Sequence, residues 1–241
     1  MTKKTLRIIL IAVFLMIIGL CLFFFPLLSQ TTIKKPVVYT AFTDFQHIEI
    51  DLEKTNLTIC DDEITYIEII GYKESEYYIS ETDGKLLLTD QFEKANIPLK
   101  LSGLGKYIKE CFSQTEPKSI VLHLSKNAQQ TPINLIVKNS NLTLSAPIAY
   151  LTLHAATSSI TADNLQFERF NAKLQNCDSS FAIPYQANAF SRNIETHDAI
   201  LSLNGDERAN AEQFTSDFQK PLIKIDAFGG ICRLVYSHED S

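Results

Sequence analysis

Residues 139–160 read NSNLTLSAPIAYLTLHAATSSI. Short runs in which apolar and polar residues alternate are separated by small, turn-forming residues, and the pattern restarts at Thr157-Ser158-Ser159-Ile160. Period two is the grammar of a strand with one buried face.

The same text returns downstream. Asn139-Ser140-Asn141-Leu142 and Thr157-Ser158-Ser159-Ile160 are followed by Asp178-Ser179-Ser180-Phe181, His197-Asp198-Ala199-Ile200 and Phe228-Gly229-Gly230-Ile231. The anchoring apolar residues, at 142, 160, 181, 200 and 231, are spaced by 18, 21, 19 and 31. One strand-turn-strand unit about every 20 residues predicts a β-solenoid, in which each coil buries its apolar face against its neighbours. The residues four before the last four anchors are Ala156, Cys177, Thr196 and Ala227, all small, as an interior column at a tight corner requires. The unequal spacing leaves a β-sandwich as the alternative.

Strand text also fills the chain upstream. Phe45, Ile48, Ile50 and Leu52 alternate with polar residues, and Leu57 and Ile59 continue the pattern. Tyr66–Ile70 and Tyr77–Ile79 follow, and Asp83-Gly84 supplies a tight reversal before Lys85–Leu88. Residues 90–118 interrupt this rhythm. Within them Leu104, Tyr107, Ile108 and Cys111 share a helical face, which reads as a short helix covering the end of a sheet stack or as an insertion toward a partner or the bilayer.

Ahead of the strands, residues 8–28 read IILIAVFLMIIGLCLFFFPLL, 21 residues without a charge. A helix of about 20 such residues crosses a hydrocarbon core. The run is apolar on every face, longer than the core of a usual secretory signal, and leaves through Pro26-Leu27-Leu28-Ser29-Gln30 with no small-residue cleavage site, so an uncleaved anchor is expected. Lys3, Lys4 and Arg7 precede it against Lys34 and Lys35 after it, which favours the N-terminus inside. The organisation is therefore a stub (1–7), a transmembrane helix (8–28), a linker (29–41), an extracytoplasmic β-strand-repeat domain (42–236) and a tail (237–241).

Charge narrows the partners. Residues 36–241 hold 17 basic and 28 acidic residues, a net −11, which repels phosphate backbones and excludes sequence-independent nucleic-acid binding. Tryptophan is absent, so any sugar stacking falls to Tyr and Phe. Outside the span, Cys60, Cys111, Cys177 and Cys232 match no zinc spacing, and two disulfides or buried free thiols both remain open.

Chemistry-bearing motifs are sparse. There is no phosphate-cradling loop, HExxH or G-x-S-x-G element. Asp61-Asp62-Glu63 lacks the spacing and glycine of a calcium loop and reads as a turn. His123 and His154 lie in strand text pointing outward, and a stacked His154–His197 metal pair lacks a further ligand. A polysaccharide lyase or hydrolase would need acids such as Asp163, Asp178 and Asp198, with Arg169 or Arg192, gathered on one face; turn-forming Asp explains them more simply. The sequons at Asn56 and Asn141 read as turn asparagines.

Phe45-Gln-His-Ile-Glu-Ile-Asp-Leu with Asn56-Leu-Thr-Ile, the Asp83-Gly84-Lys85-Leu86 step, Thr196-His-Asp-Ala-Ile-Leu-Ser-Leu and Ala227-Phe-Gly-Gly-Ile resemble a bacterial putative-adhesin family of unknown function built from β-strand repeats. The resemblance covers most of residues 42–236, although this chain has Ser-Ser or Asp-Ala where that family often has Ser-Gly. It implies a right-handed single-strand β-solenoid on the cell exterior and carries over no catalytic residues. The expectation is thus an all-β, membrane-anchored, single-pass surface protein that binds an extracellular or envelope protein or glycan. It is non-catalytic, with membrane lipid touched through the N-terminal helix and with no catalytic, cofactor-binding or metal-binding residue assigned. An envelope accessory protein that senses or scaffolds with a membrane partner, and a polysaccharide-active enzyme, are the alternatives.

Overall fold

The computed structural model describes residue 16 and residues 36–40, 45–72, 76–90, 118–208, 211–215 and 221–237. The chain divides into two compact units, 1–35 with 94–116 and 36–93 with 117–241; the second carries the described strands. Apart from Met16, residues 8–28 lie outside the described residues, as does the expected helix over 101–112. Among the described residues no helix is long and apolar enough to cross a membrane.

The second unit is all-β. Its strands are β1 (Val37–Thr40), β2 (His47–Glu53), β3 (Asn56–Asp61), β4 (Tyr66–Ile70), β5 (Tyr78–Thr82), β6 (Lys85–Thr89), β7 (Ser119–Leu124), β8 (Ile133–Lys138) and β9 (Asn141–Leu144). Then come β10 (Tyr150–Ala156), β11 (Ser159–Ala162), β12 (Arg169–Gln186), β13 (Ser191–His197), β14 (Ile200–Leu203), β15 (Asp206–Arg208), β16 (Ala211–Phe214) and β17 (Leu222–Ser237).

Most pairings are parallel, and they form rungs. Each rung is a strand, a corner and a second strand: β2/β3, β8/β9 and β10/β11, with β12 and β17 each running unbroken through its corner, and β13/β14. Every corner has a residue of positive φ, Lys54, Asn139, Thr157, Asn176, Gly229 and Asp198, at 51° to 68°, and at the β17 corner Gly230 follows at 81°. Asn and Asp adopt this left-handed region more readily than other non-glycine residues, and the next residue is small in all six rungs.

That next residue builds a column of its own. Ser140 Oγ donates to the Lys138 carbonyl (2.7 Å), Ser158 Oγ to the Ala156 carbonyl (2.8 Å) and Cys177 Sγ to the Gln175 carbonyl (3.4 Å). Rung joins rung through the same atoms, since the Thr55 and Ser140 backbone N–H groups donate to Ser140 Oγ and Ser158 Oγ, both at 3.2 Å. Buried corner groups are thereby satisfied without water, as their burial demands.

Inward rows fill the core between corners. Leu52, Val137, Ala155, Leu174, Ala227 and Thr196 stand in register on one wall, and Leu57, Leu142, Ile160, Ser179, Cys232 and Leu201 on the other, all buried. Each buried Leu or Ile contributes about 1.5–3 kcal/mol.

Register corrects three of the anchors expected from sequence. The inward partner of Leu142 and Ile160 is Ser179, then Cys232 and Leu201, rather than Phe181, Ile231 and Ile200. Ile200 and Ile231 stand one residue off and face outward, Ile200 being 47% exposed, because a slip of one flips a strand's faces. The small-residue column is corrected likewise. Thr196 and Ala227 are paired and buried, but Ala156 lies across from Gln175 on the outer surface, and Cys177 belongs to the corner column facing Gly230.

Spatial order also departs from simple sequential stacking. The rungs run β6/β7, β2/β3, β8/β9, β10/β11, β12, β17, β13/β14. The first rung in the chain and the last are thus each placed one position in from the end. Antiparallel strands close the ends: β4 on β7, with β1 outside it, and β5 on β6; at the other end β15 on β14 and β16 on β13. Asp83 and Gly84, with φ of 52° and 72°, make the expected β5–β6 reversal. Ends covered this way leave no long parallel edge for another chain to extend.

Candidate binding face

The register that buries one side of each strand aligns the other side toward solvent. On the wall formed by β2, β8, β10, β12, β17 and β13, one outward row reads Glu53, Lys138, Ala156, Gln175, Phe228, His197, and the row two residues earlier reads Asp51, Ile136, His154, Lys173, Asp226, Glu195. Ala156 is the short side chain of its row. Around it opens a groove of about 520 Å³ lined by Ile136, Lys138, His154, Lys173, Gln175 and Phe228.

The groove has two chemical halves. Lys138, His154 and Lys173 are exposed, and among the described residues none of them has a side-chain partner. Glu53 and Asp226 stand on the neighbouring strands in register with Lys138 and Lys173, so the two lysines, on β8 and β12, bracket His154 between acidic flanks. At its edge Phe228, 50% exposed, stacks on His197 with ring centroids 4.7 Å apart and planes 13° from parallel. The half-exposed Phe228 ring thus lies beside Lys138 and Lys173 within a domain of net negative charge.

A second outward cluster sits on the other wall, where Cys60, His123 and Tyr66 are cross-strand partners. Tyr66 stacks on His123 at 3.9 Å, and His123 Nδ1 is 3.0 Å from Asp62 Oδ2 and 3.4 Å from Cys60 Sγ. Asp62 accepts from the Glu63 N–H at 2.7 Å and from the Tyr66 hydroxyl at 3.1 Å, and the Glu63 bond above all holds its carboxyl below the usual range. This is the turn expected at Asp61-Asp62-Glu63. Burial, reinforced by Asp62, pushes the Cys60 thiol up, the reverse of an activated nucleophile. Thiol and carboxylate address the same ring nitrogen, so the imidazole cannot serve one while being oriented by the other.

A third polar group is centred on Asp90, just after β6. Asp90 accepts from the Glu53 N–H with both oxygens (2.8 and 2.9 Å), with Thr55 Oγ1 at 2.9 Å and the Tyr72 hydroxyl at 3.3 Å. Burial raises the Asp90 carboxyl above its ordinary range and the Tyr72 phenol well above its own. Lys118, just before β7, lies over the Tyr72 ring and pairs with Glu76 at 3.4 Å.

The acids weighed for polysaccharide chemistry are not assembled with the arginines weighed beside them. Asp178 is paired with Arg233, Asp198 holds the corner of an end rung, and Asp163 lies in the bend after β11. Arg169 is exposed, whereas Arg192 points into the core. There it donates to the Ala187 carbonyl and to Glu212 on the capping strand β16, among the rings of Phe190, Phe214 and Tyr236. His154 and His197 are three strands apart, which rules out a pair stacked on adjacent rungs. Among the described residues no group of three or more His, Cys, Asp or Glu could hold a metal, and Cys60, Cys177 and Cys232 are free thiols. The two sequon asparagines pair with each other, Asn141 Nδ2 donating to Asn56 Oδ1 at 2.8 Å.

No family model matches the chain, and no curated protein does. Among solved structures, it is similar to a "putative cell adhesion protein" from Clostridium sporogenes, at 13% identity and a TM-score of 0.49, covering 85% of this chain and 100% of the other. It is similar also to a "putative adhesin" from Bacteroides fragilis (10% identity, TM-score 0.36, 85% and 98% covered). A "putative adhesin" from Parabacteroides distasonis gives 9% identity and a TM-score of 0.30, with 84% and 96% covered. At this distance, nothing about what those proteins do transfers to this chain.

Proposed function

We propose that this chain is a non-catalytic, adhesin-like binding protein of the cell surface. In this reading a single helix over residues 8–28 holds it in the cytoplasmic membrane with the N-terminus inside, and its parallel rungs form a right-handed, single-strand β-solenoid-like stack. The observation that carries the binding role is the groove around Ala156, where unpartnered Lys138, His154 and Lys173 adjoin the open Phe228 ring. The 21-residue uncharged run supports the anchor.

Full-length chain reconstituted in liposomes with the domain outward should be retained on intact cells of the source organism. A Lys138→Ala/Lys173→Ala/Phe228→Ala variant with unchanged melting should be retained far less. Equal retention of the two proteins refutes the groove as the binding face. Protease added to whole cells should digest residues 37–241, and a protected domain refutes the topology.

A further inference from the structure

The geometry points to a linear acidic polysaccharide as the occupant of the groove, with uronate carboxylates on Lys138 and Lys173 and a pyranose ring on Phe228. This inference rests on the binding role proposed above and names its ligand class.

Three features select that chemistry. The groove lies on the face of a sheet whose backbone groups are already paired rung to rung, so an extended peptide finds no strand edge to extend and must be held by side chains alone. Phe228 offers a flat, half-exposed ring held on one face by His197 of the neighbouring strand, leaving the other face for the apolar side of a sugar. Lys138 and Lys173 stand on strands two apart, about 10 Å across the ladder from the usual strand spacing. A carboxylate on every second ring of a pyranose chain recurs at about this distance. Nucleic acid carries charge far more densely, and the acidic flanks at Glu53 and Asp226 would meet its phosphates directly. A chain charged on every second ring only, crossing the strands between the row of Lys138 and Phe228 and the row of Lys173, sets fewer charges against those acids.

The test titrates full-length chain in detergent micelles with hyaluronan and unsulfated chondroitin oligosaccharides, both with a uronate on every second ring, and with neutral dextran and polyglutamate as comparators. At least one uronate chain should bind, weakening as salt rises, while dextran and polyglutamate bind at least tenfold more weakly. Lys138→Ala/Lys173→Ala should lower affinity about tenfold, the size of two exposed charge contacts. Phe228→Ala should lower it about fivefold, with recovery in Phe228→Tyr. Lys126→Ala, which removes one charge outside the groove, should leave it unaltered. Polyglutamate binding as tightly as the uronates, or full affinity in Phe228→Ala, overturns the proposal. So does failure of both uronate chains to bind. If groove-dependent retention on cells persists in any of those cases, only the ligand class has failed and the binding role stands.

Discussion

Gly230→Ala probes the placement of β17 between β12 and β13. Gly230 is in register with Cys177, and a Cβ built on it would lie 2.1 Å from the Cys177 carbonyl oxygen and 2.8 Å from its nitrogen, both backbone atoms that cannot swing away. Gly205, in the β14–β15 turn, supplies the control. Its φ of +89° matches the +81° of Gly230, but nothing lies within 4 Å of its would-be Cβ. Both substitutions carry the left-handed cost of about 1–2 kcal/mol. Only Gly230→Ala adds overpacking of about 1–3 kcal/mol, and prising the rungs apart weakens one or two ladder hydrogen bonds at about 1 kcal/mol each. The difference is roughly 2–5 kcal/mol. At about 2–4 °C per kcal/mol for a domain of this size, Gly230→Ala should melt roughly 4–20 °C below Gly205→Ala in thermal unfolding of the full-length protein followed by circular dichroism. Equal melting of the two variants would refute the threading of β17 against β12.

Ser158→Ala removes a hydroxyl that donates to the Ala156 carbonyl and accepts from the Ser140 N–H, so chemical denaturation should show a loss of about 1–3 kcal/mol; a neutral result removes the corner column as a stabilising device. Arg192→Ala empties a ring-lined interior site and takes a buried partner from Glu212, so it should cost about 3 kcal/mol or more, against little for Arg169→Ala on the surface. Asp90→Asn should destabilise by about 1–3 kcal/mol by misplacing an amide among three donors. The Asp90 carboxyl is raised in the folded state, so its contribution is fullest below the unfolded carboxylate range and declines as pH rises through the folded value. The melting gap between wild type and Asp90→Asn should therefore be wider near pH 4 than at pH 7, and a gap that widens with pH contradicts the assignment.

Strand content, the Asp83-Gly84 reversal and the corners at Asn139 and Thr157 are legible in the sequence because they depend on neighbours: alternation, turn chemistry and small residues are local signals. Rung order is not, since nothing local tells β2/β3 or β17 to lie one place in from the end; that follows from closing the stack with β4, β5, β15 and β16. The slips at Ile200 and Ile231 share one cause, the assumption that the largest apolar residue after a turn faces inward, whereas Phe181 does face inward but stands two residues beyond the position in register with Ile160. At β12 and β17 the inward positions after the corner hold Ser179 and Cys232 instead. The groove escapes sequence reading for a related reason. Lys138, Ala156, Gln175 and Phe228 span 90 positions in the chain and become a row only through register; the hint in the text is that each falls at or just before a corner residue.

Site-specific photo-cross-linking in living cells tests the central claim most directly, that the aligned outer row is where a partner sits. Ala156→p-benzoylphenylalanine places the reactive group in the groove, while Ser159→p-benzoylphenylalanine places it on an exposed outward position of the other wall. The account predicts a high-mass adduct from position 156 that fades when Lys138 and Lys173 are also changed to alanine, and little from position 159. Adducts of equal yield from both positions, or none from position 156, would contradict it.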